Sequence, residues 1–110
     1  MLQIVRLLVI LLITIPYMAI AGEEPQNSVE IYHYDGSLQC EPGSGTSLEE
    51  MGKTLESAGI EIISSRTGHD GRMYPAVCGA GTGRINIYEI NAQQLKQAEA
   101  LKFKPYQGMP

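Results

Sequence analysis

Apolar and polar residues alternate from Val29 to Tyr34, with Val29, Ile31 and His33 on one side of the chain and Glu30, Tyr32 and Tyr34 on the other. A period of two in a run rich in β-formers predicts a strand, and Asp35-Gly36 closes it with a turn signal. After a loop carrying Cys40, Pro42, Gly43 and Gly45 the period changes. Leu48, Met51, Leu55 and Ala58 recur at spacings of three and four, while Glu49, Lys53 and Glu56 fall on the opposite side. This is the pattern of an amphipathic helix, opened by a capping box at Ser47 and Glu50 and closed by Gly59 as a left-handed cap. Ile60 to Ser64 holds three isoleucines in its first four positions and reads as a second strand.

A turn follows over Gly68–Gly71, centred on Asp70-Gly71. Met73–Val77 reads as a short edge strand, because Pro75 has no N–H to give a ladder. The glycine-rich run Gly79–Gly83 is expected to be a flexible connection, leading into a half-buried strand from Arg84 to Ile90 in which Ile85 and Ile87 alternate with Asn86 and Tyr88. Asn91 and Gln94 cap a second helix, with Ile90 and Leu95 placed as a hydrophobic staple. Its stripe is Leu95, Ala98 and Leu101, and Pro105 stops it. The order β-α-β-β-β-α predicts an α+β domain with a mixed four-stranded sheet and two packed helices, the first two strands running parallel through the helical crossover.

The amino-terminal residues have a different character. Arg6 is the only charge in the first 21, an apolar run extends from Leu7 to Ile15, Pro16 breaks it, and Ala19 and Ala21 supply small side chains three and one positions before a cut at Gly22. This is the plan of a secretory signal peptide, and the stretch from Leu7 to Ala21 falls short of the ~20 apolar residues a membrane span needs. The expected organisation is therefore a signal peptide at 1–21, a flexible mature start at 22–28, and one small domain at 29–110. The mature product is expected to be secreted or periplasmic, with no membrane insertion after cleavage.

Cleavage leaves 89 residues with 7 basic and 12 acidic side chains, because Arg6 is lost with the signal. A net charge of −5 repels nucleic-acid phosphates and anionic lipid, so neither is an expected partner. So short a chain buries only about 60–65 % of its unfolded surface, which makes a covalent staple valuable. Cys40 and Cys78 are the only two cysteines, and export places them where a disulfide is the expected state. They lack the C-x-x-C spacing of a redox pair, and the chain has too few Cys and His for a zinc site.

Candidate chemistry is sparse. The run Gly79–Gly83 leads into a strand, whereas a nucleotide-binding glycine loop leads into a helix N-terminus. The loop Pro42–Ser47 does open a helix, but Glu49 and Glu50 in the first turn repel an external anion and no Walker-type lysine is present. His33 sits in mid-strand and reads as a packed histidine. His69 lies beside Asp70 with Arg66 and Arg72 near in sequence, yet no nucleophile accompanies it. No enzyme activity, cofactor or metal is expected.

Two functional expectations remain. The first is an exported binding module that engages a protein or envelope component through the Arg66–Gly83 region, where Arg66, His69, Arg72, Met73 and Tyr74 supply anchor-type side chains above a disulfide. The second rests on layout. Cys40, the helix Ser47–Ala58, the strand Ile60–Ser64, a loop from Ser65, Cys78 and the strand-opening Arg84-Ile85-Asn86-Ile87 follow one another in an order that resembles the potato inhibitor I-type protease inhibitors. The likeness covers about half the chain and is one of element order; the glycine spacer Gly79–Gly83 departs from it. It implies an exposed loop that presents Arg72 or Met73 to a serine protease.

Overall fold

The computed structural model describes residues 27–108, so the signal-peptide reading of residues 1–21 and the cleavage site lie outside the described residues. The domain is α+β, with strands β1 (Ser28–Tyr34), β2 (Ile62–His69), β3 (Arg84–Asn91) and β4 (Lys104–Pro105), and helices α1 (Leu48–Ser57) and α2 (Leu95–Ala100). A 3-10 turn over Ala92–Gln94 leads into α2.

The four strands lie in the order β2-β3-β1-β4. Every neighbouring pair is antiparallel. The expected mixed sheet is therefore corrected: β1 and β2 do run in the same direction, but β3 lies between them and pairs with both. The reason is in β3 itself, where Ile85, Asn86, Ile87, Tyr88 and Ile90 are all buried. A strand apolar on both faces is most stable in the sheet interior, not half-buried as its alternation suggested.

Two further expectations change. Met73–Val77 forms no strand, and β2 instead runs on through His69, so that the turn begins only at Asp70. The fourth strand is β4, which pairs with Ile31 and Tyr32 on the far edge. A proline is admissible there because an edge strand needs only one row of ladder bonds. The element order is thus β-α-β-β-α-β.

Both helices cover one face. Ile31, Tyr88 and Ile90 from the sheet meet Met51 and Leu55 from α1, Ala98 from α2, and Ile60 and Phe103 in the main core. α1 lies over β2 and β3, and α2 over β1 and β4. Ser47 caps α1 by accepting from the Glu50 N–H at 3.0 Å. The helix ends in a Schellman motif: Gly59 at φ 84° donates to Glu56 O, and Ile60 donates to Leu55 O. Gln94 then ties this corner down, with its side chain donating to Gly59 O and accepting from the Glu61 N–H.

Among the described residues the opposite face has no helix. Tyr32, Ile85, Ile87 and Tyr106 form a second, smaller cluster there. Gly68 makes room for it, since a Cβ at that position would fall 2.8 Å from Ile87 Cδ1. Arg66 lies over the Tyr106 ring at 5.3 Å and pairs with Glu30 at 2.9 Å.

Candidate functional site

The hairpin connection from Asp70 to Gly83 is the largest irregular segment between strands, and its organising residue is Asp70. Only 3 % of Asp70 is exposed. Its Oδ1 accepts from the Arg72 N–H at 2.9 Å, closing an Asx turn. Its Oδ2 accepts from the Tyr34 hydroxyl at 2.9 Å and, at shorter range, from the Tyr74 hydroxyl. Burial alone would push this carboxyl up. The donors from Tyr74, Arg72 and Tyr34 outweigh it and hold Asp70 below the usual carboxylate range. The two phenols respond in the opposite sense. Tyr34 is pushed up to about 12, first by burial and then by its bond to Asp70. Tyr74 is raised chiefly by its bond to Asp70.

His69, the last residue of β2, closes the neck of the loop. Its Nδ1 accepts from the Gly71 N–H at 2.9 Å, which places the proton on Nε2, and Nε2 then donates to Thr82 O at 2.9 Å. Both nitrogens are thereby occupied in holding backbone, so the imidazole acts as a strut. Beneath it, Gly83 takes φ 78°. A Cβ on Gly83 would come within 2.6 Å of the Tyr74 ring and 2.8 Å of both Asp70 Oδ1 and His69 Nε2.

The far end of the loop is tied to the segment after β1. Cys40 and Cys78 form the expected disulfide. Gln39 exchanges backbone bonds with Gly79 and Ala80, and its side-chain amide donates to Pro75 O and Gly81 O. Thr82 N donates to Ser37 O, and Leu38 bridges Gly81. The glycine run expected to be a flexible connection is thus a hydrogen-bonded rail along Ser37–Gln39.

Between these two anchorages the chain is presented to solvent. Met73 is 94 % exposed and Val77 55 %. Of the residues singled out in the sequence, His69, Arg72 and Tyr74 gather around Asp70, and Met73 projects from the same turn. Arg66 stands apart, on the helix-free face, engaged by Glu30 and Tyr106. Sequence reasoning missed Asp70 itself and Tyr34, whose hydroxyl comes from β1, 36 residues away. The only local signal was the Asp-Gly pair, which announces a turn but not a buried carboxylate.

Comparison of the chain with protein-family models, with curated proteins and with solved structures found no match in any of the three. The site therefore has to be read from its own geometry. Among the described residues no three His, Cys, Asp or Glu side chains gather where they could hold a metal ion. His33, for its part, packs beside Phe103 with ring centroids 5.4 Å apart, and its Nδ1 lies 2.7 Å from Tyr34 O. What the loop geometry can do is hold the backbone that carries Arg72 and Met73 in place at the surface.

Proposed function

We propose that the protein is an exported, disulfide-stapled binding module that engages a protein partner through the Arg66–Gly83 region, with Met73 as the inserted anchor. The observation that carries this reading is the 94 % exposure of Met73 on a turn whose base is held by Asp70, His69 and the Cys40–Cys78 bridge. A loop whose backbone is already ordered loses little backbone freedom when an exposed apolar side chain on it enters a pocket, so more of the burial energy is left as affinity. Export is supported by the apolar leader in the sequence and by the disulfide. Among the described residues no helix is long and apolar enough to cross a membrane.

The test is a photo-crosslinking residue at position 77, exposed in the same loop beside an intact Met73, in the exported protein in its native cells, with mass-spectrometric identification of what it captures. One dominant protein, lost when Arg72→Glu is added, is the expected outcome. Crosslinks spread evenly over many abundant proteins would refute an anchor role.

A second reading is favoured by the way Asp70 grips both flanks of Met73, through the Arg72 N–H before it and the Tyr74 hydroxyl after it. A protease inhibitor that presents Arg72 or Met73 needs such a clamp, because both ends of a cut loop stay in place for resynthesis. Incubation with trypsin-type and subtilisin-type proteases separates the readings. Slow release of a protein cut next to Arg72 or Met73, with the protease blocked meanwhile, selects the inhibitor; rapid cutting without inhibition leaves the general binding module.

A further inference from the structure

A second binding surface lies on the other side of the domain, where α1 overhangs the free edge of the sheet. β2 is the outermost strand in the order β2-β3-β1-β4, so among the described residues one row of its backbone N–H and C=O groups meets no strand. Proteins usually blunt such an edge with lysine, proline or a bulge. β2 has a register shift between Ile62 and Ser64, but the six residues from Ser64 to His69 pair regularly with β3 and contain no proline, lysine or acid. The charge of Arg66 is turned to the helix-free face, against Glu30.

Alongside this edge runs a groove of about 330 Å³ between α1 and β2. Ile62, Gly52 and Tyr88 line it, and Glu49, Lys53 and Glu56 line its α1 side. Gly52 is a mid-helix glycine, a choice that costs about 1 kcal/mol relative to alanine. Here a Cβ would lie 3.3 Å from Ile62 and 3.4 Å from Tyr88, so its absence keeps α1 low over the sheet beside the groove. Tyr88 donates to Leu48 O at 2.6 Å. Its hydroxyl is pushed up to about 12, by burial first and then by the charge of Glu49, so the acidic character of the helix reaches the groove lining.

From this arrangement we infer that the β2 edge and the α1 groove form a strand-addition site for an extended basic peptide segment of a partner protein. The peptide's backbone pairs with Ser64–His69. Alternate side chains on the helix side enter the groove, apolar ones over Ile62 and Tyr88 and a Lys or Arg toward Glu49 and Glu56. Charge decides between this occupant and a second copy of the chain. Two β2 edges paired about a two-fold axis normal to the sheet would set α1 beside its own copy, with two glutamates against one lysine on each side. Like charges disfavour that pairing, whereas a cationic segment is attracted. This site is independent of the loop around Met73.

The probes are three fluorescent eight-residue peptides that alternate valine with lysine, with glutamate or with serine, titrated into the oxidised domain and read by anisotropy and by backbone amide shifts. The valine–lysine peptide is expected to bind saturably, to protect amides in Ser64–His69 and to leave those of Arg72–Val77 unmoved. The double variant E49K/E56K, altered only at exposed helix positions, is expected to bind that peptide roughly tenfold more weakly and to prefer the valine–glutamate peptide. Equal binding of all three peptides, an unchanged preference in E49K/E56K, shifts confined to the Met73 loop, no saturable binding, or dimerisation through β2 seen in sedimentation would each overturn the inference. Met73→Ala separates the two surfaces: it should abolish capture at the loop and leave peptide binding intact.

Discussion

Replacing Cys40 and Cys78 together by serine removes a crosslink that spans 38 residues. In the chain-entropy account, closing a loop of that length costs the unfolded chain about 13 cal/mol/K, or roughly 3.9 kcal/mol at 25 °C. A domain of this size has only about 4–13 kcal/mol of stability in all. The double variant should therefore lose about 30 % or more of its stability, and its thermal midpoint should fall by about 15–30 °C. Urea unfolding of the mature domain at 25 °C, oxidised wild type against the double variant, measures the difference, and the m-value of the variant should rise because its unfolded state expands further. Hydrogen exchange adds the spatial reading. Amides of Gly79 and Ala80, paired with Gln39 and Val77 beside the bridge, should lose protection before those of β3. A loss below about 1 kcal/mol would refute the reasoning, since it would mean that the backbone pairing of Ser37–Gln39 with Gly79–Thr82 already holds the unfolded or native chain as tightly as the bridge does.

Gly83→Ala should cost about 1–3 kcal/mol, through its positive φ and the clash of the new Cβ with Tyr74, Asp70 and His69; urea unfolding checks it, and exchange at Arg72 should quicken. Lys102→Gly should raise stability by about 0.5–1 kcal/mol, because Lys102 stands at φ 78° in the Schellman cap of α2, where Lys102 donates to Glu99 O and Phe103 to Ala98 O. Asp70 is held ionised in the fold, so its contribution is complete above the unfolded value near 3.8 and is lost as pH falls through the lower folded value. Acid titration followed at the Arg72 amide should show that step below pH 3.8, and Asp70→Asn should abolish it. Spectrophotometric titration should find Tyr34 and Tyr88 ionising at about 12, with the stability tied to their protonated forms present below pH 10.0 and lost as pH rises through about 12. Met73→Ala should leave the unfolding free energy within about 0.5 kcal/mol of wild type while removing partner capture, as a side chain 94 % exposed requires.

Local sequence carried the parts of the fold that local physics decides. Ser47 accepts from the residue three positions on, and Gly59 takes the left-handed cap, because both roles depend only on neighbours within a turn. Leu48, Met51 and Leu55 of the expected stripe pack as their spacing requires, while Ala58, at the C-cap, is exposed; Ala98 is fully buried in α2. The disulfide was legible from the count of cysteines together with the expected export.

Three things waited for tertiary structure, each because its partners lie far apart in sequence. The neighbours of β3 were hidden, since its alternation could not reveal that Tyr32 and Tyr106 cover Ile85 and Ile87 on the second face. β4 was hidden because two residues beside a proline carry no periodic signal, and only the exposed edge of β1 makes them a strand. Asp70 read as a surface turn residue, and it became a buried hub only when β1 brought Tyr34 and the loop returned Tyr74 to it. The sequence by itself determined the caps and apolar face of α1, the central residues of β1 and β3, which cysteines pair, and which residues bear charge, because these follow from spacing and composition. Only the tertiary structure decided strand order, the clamped backbone beneath Met73 and the edge position of β2 among the described residues, because each depends on contacts that exist only once distant segments have packed together.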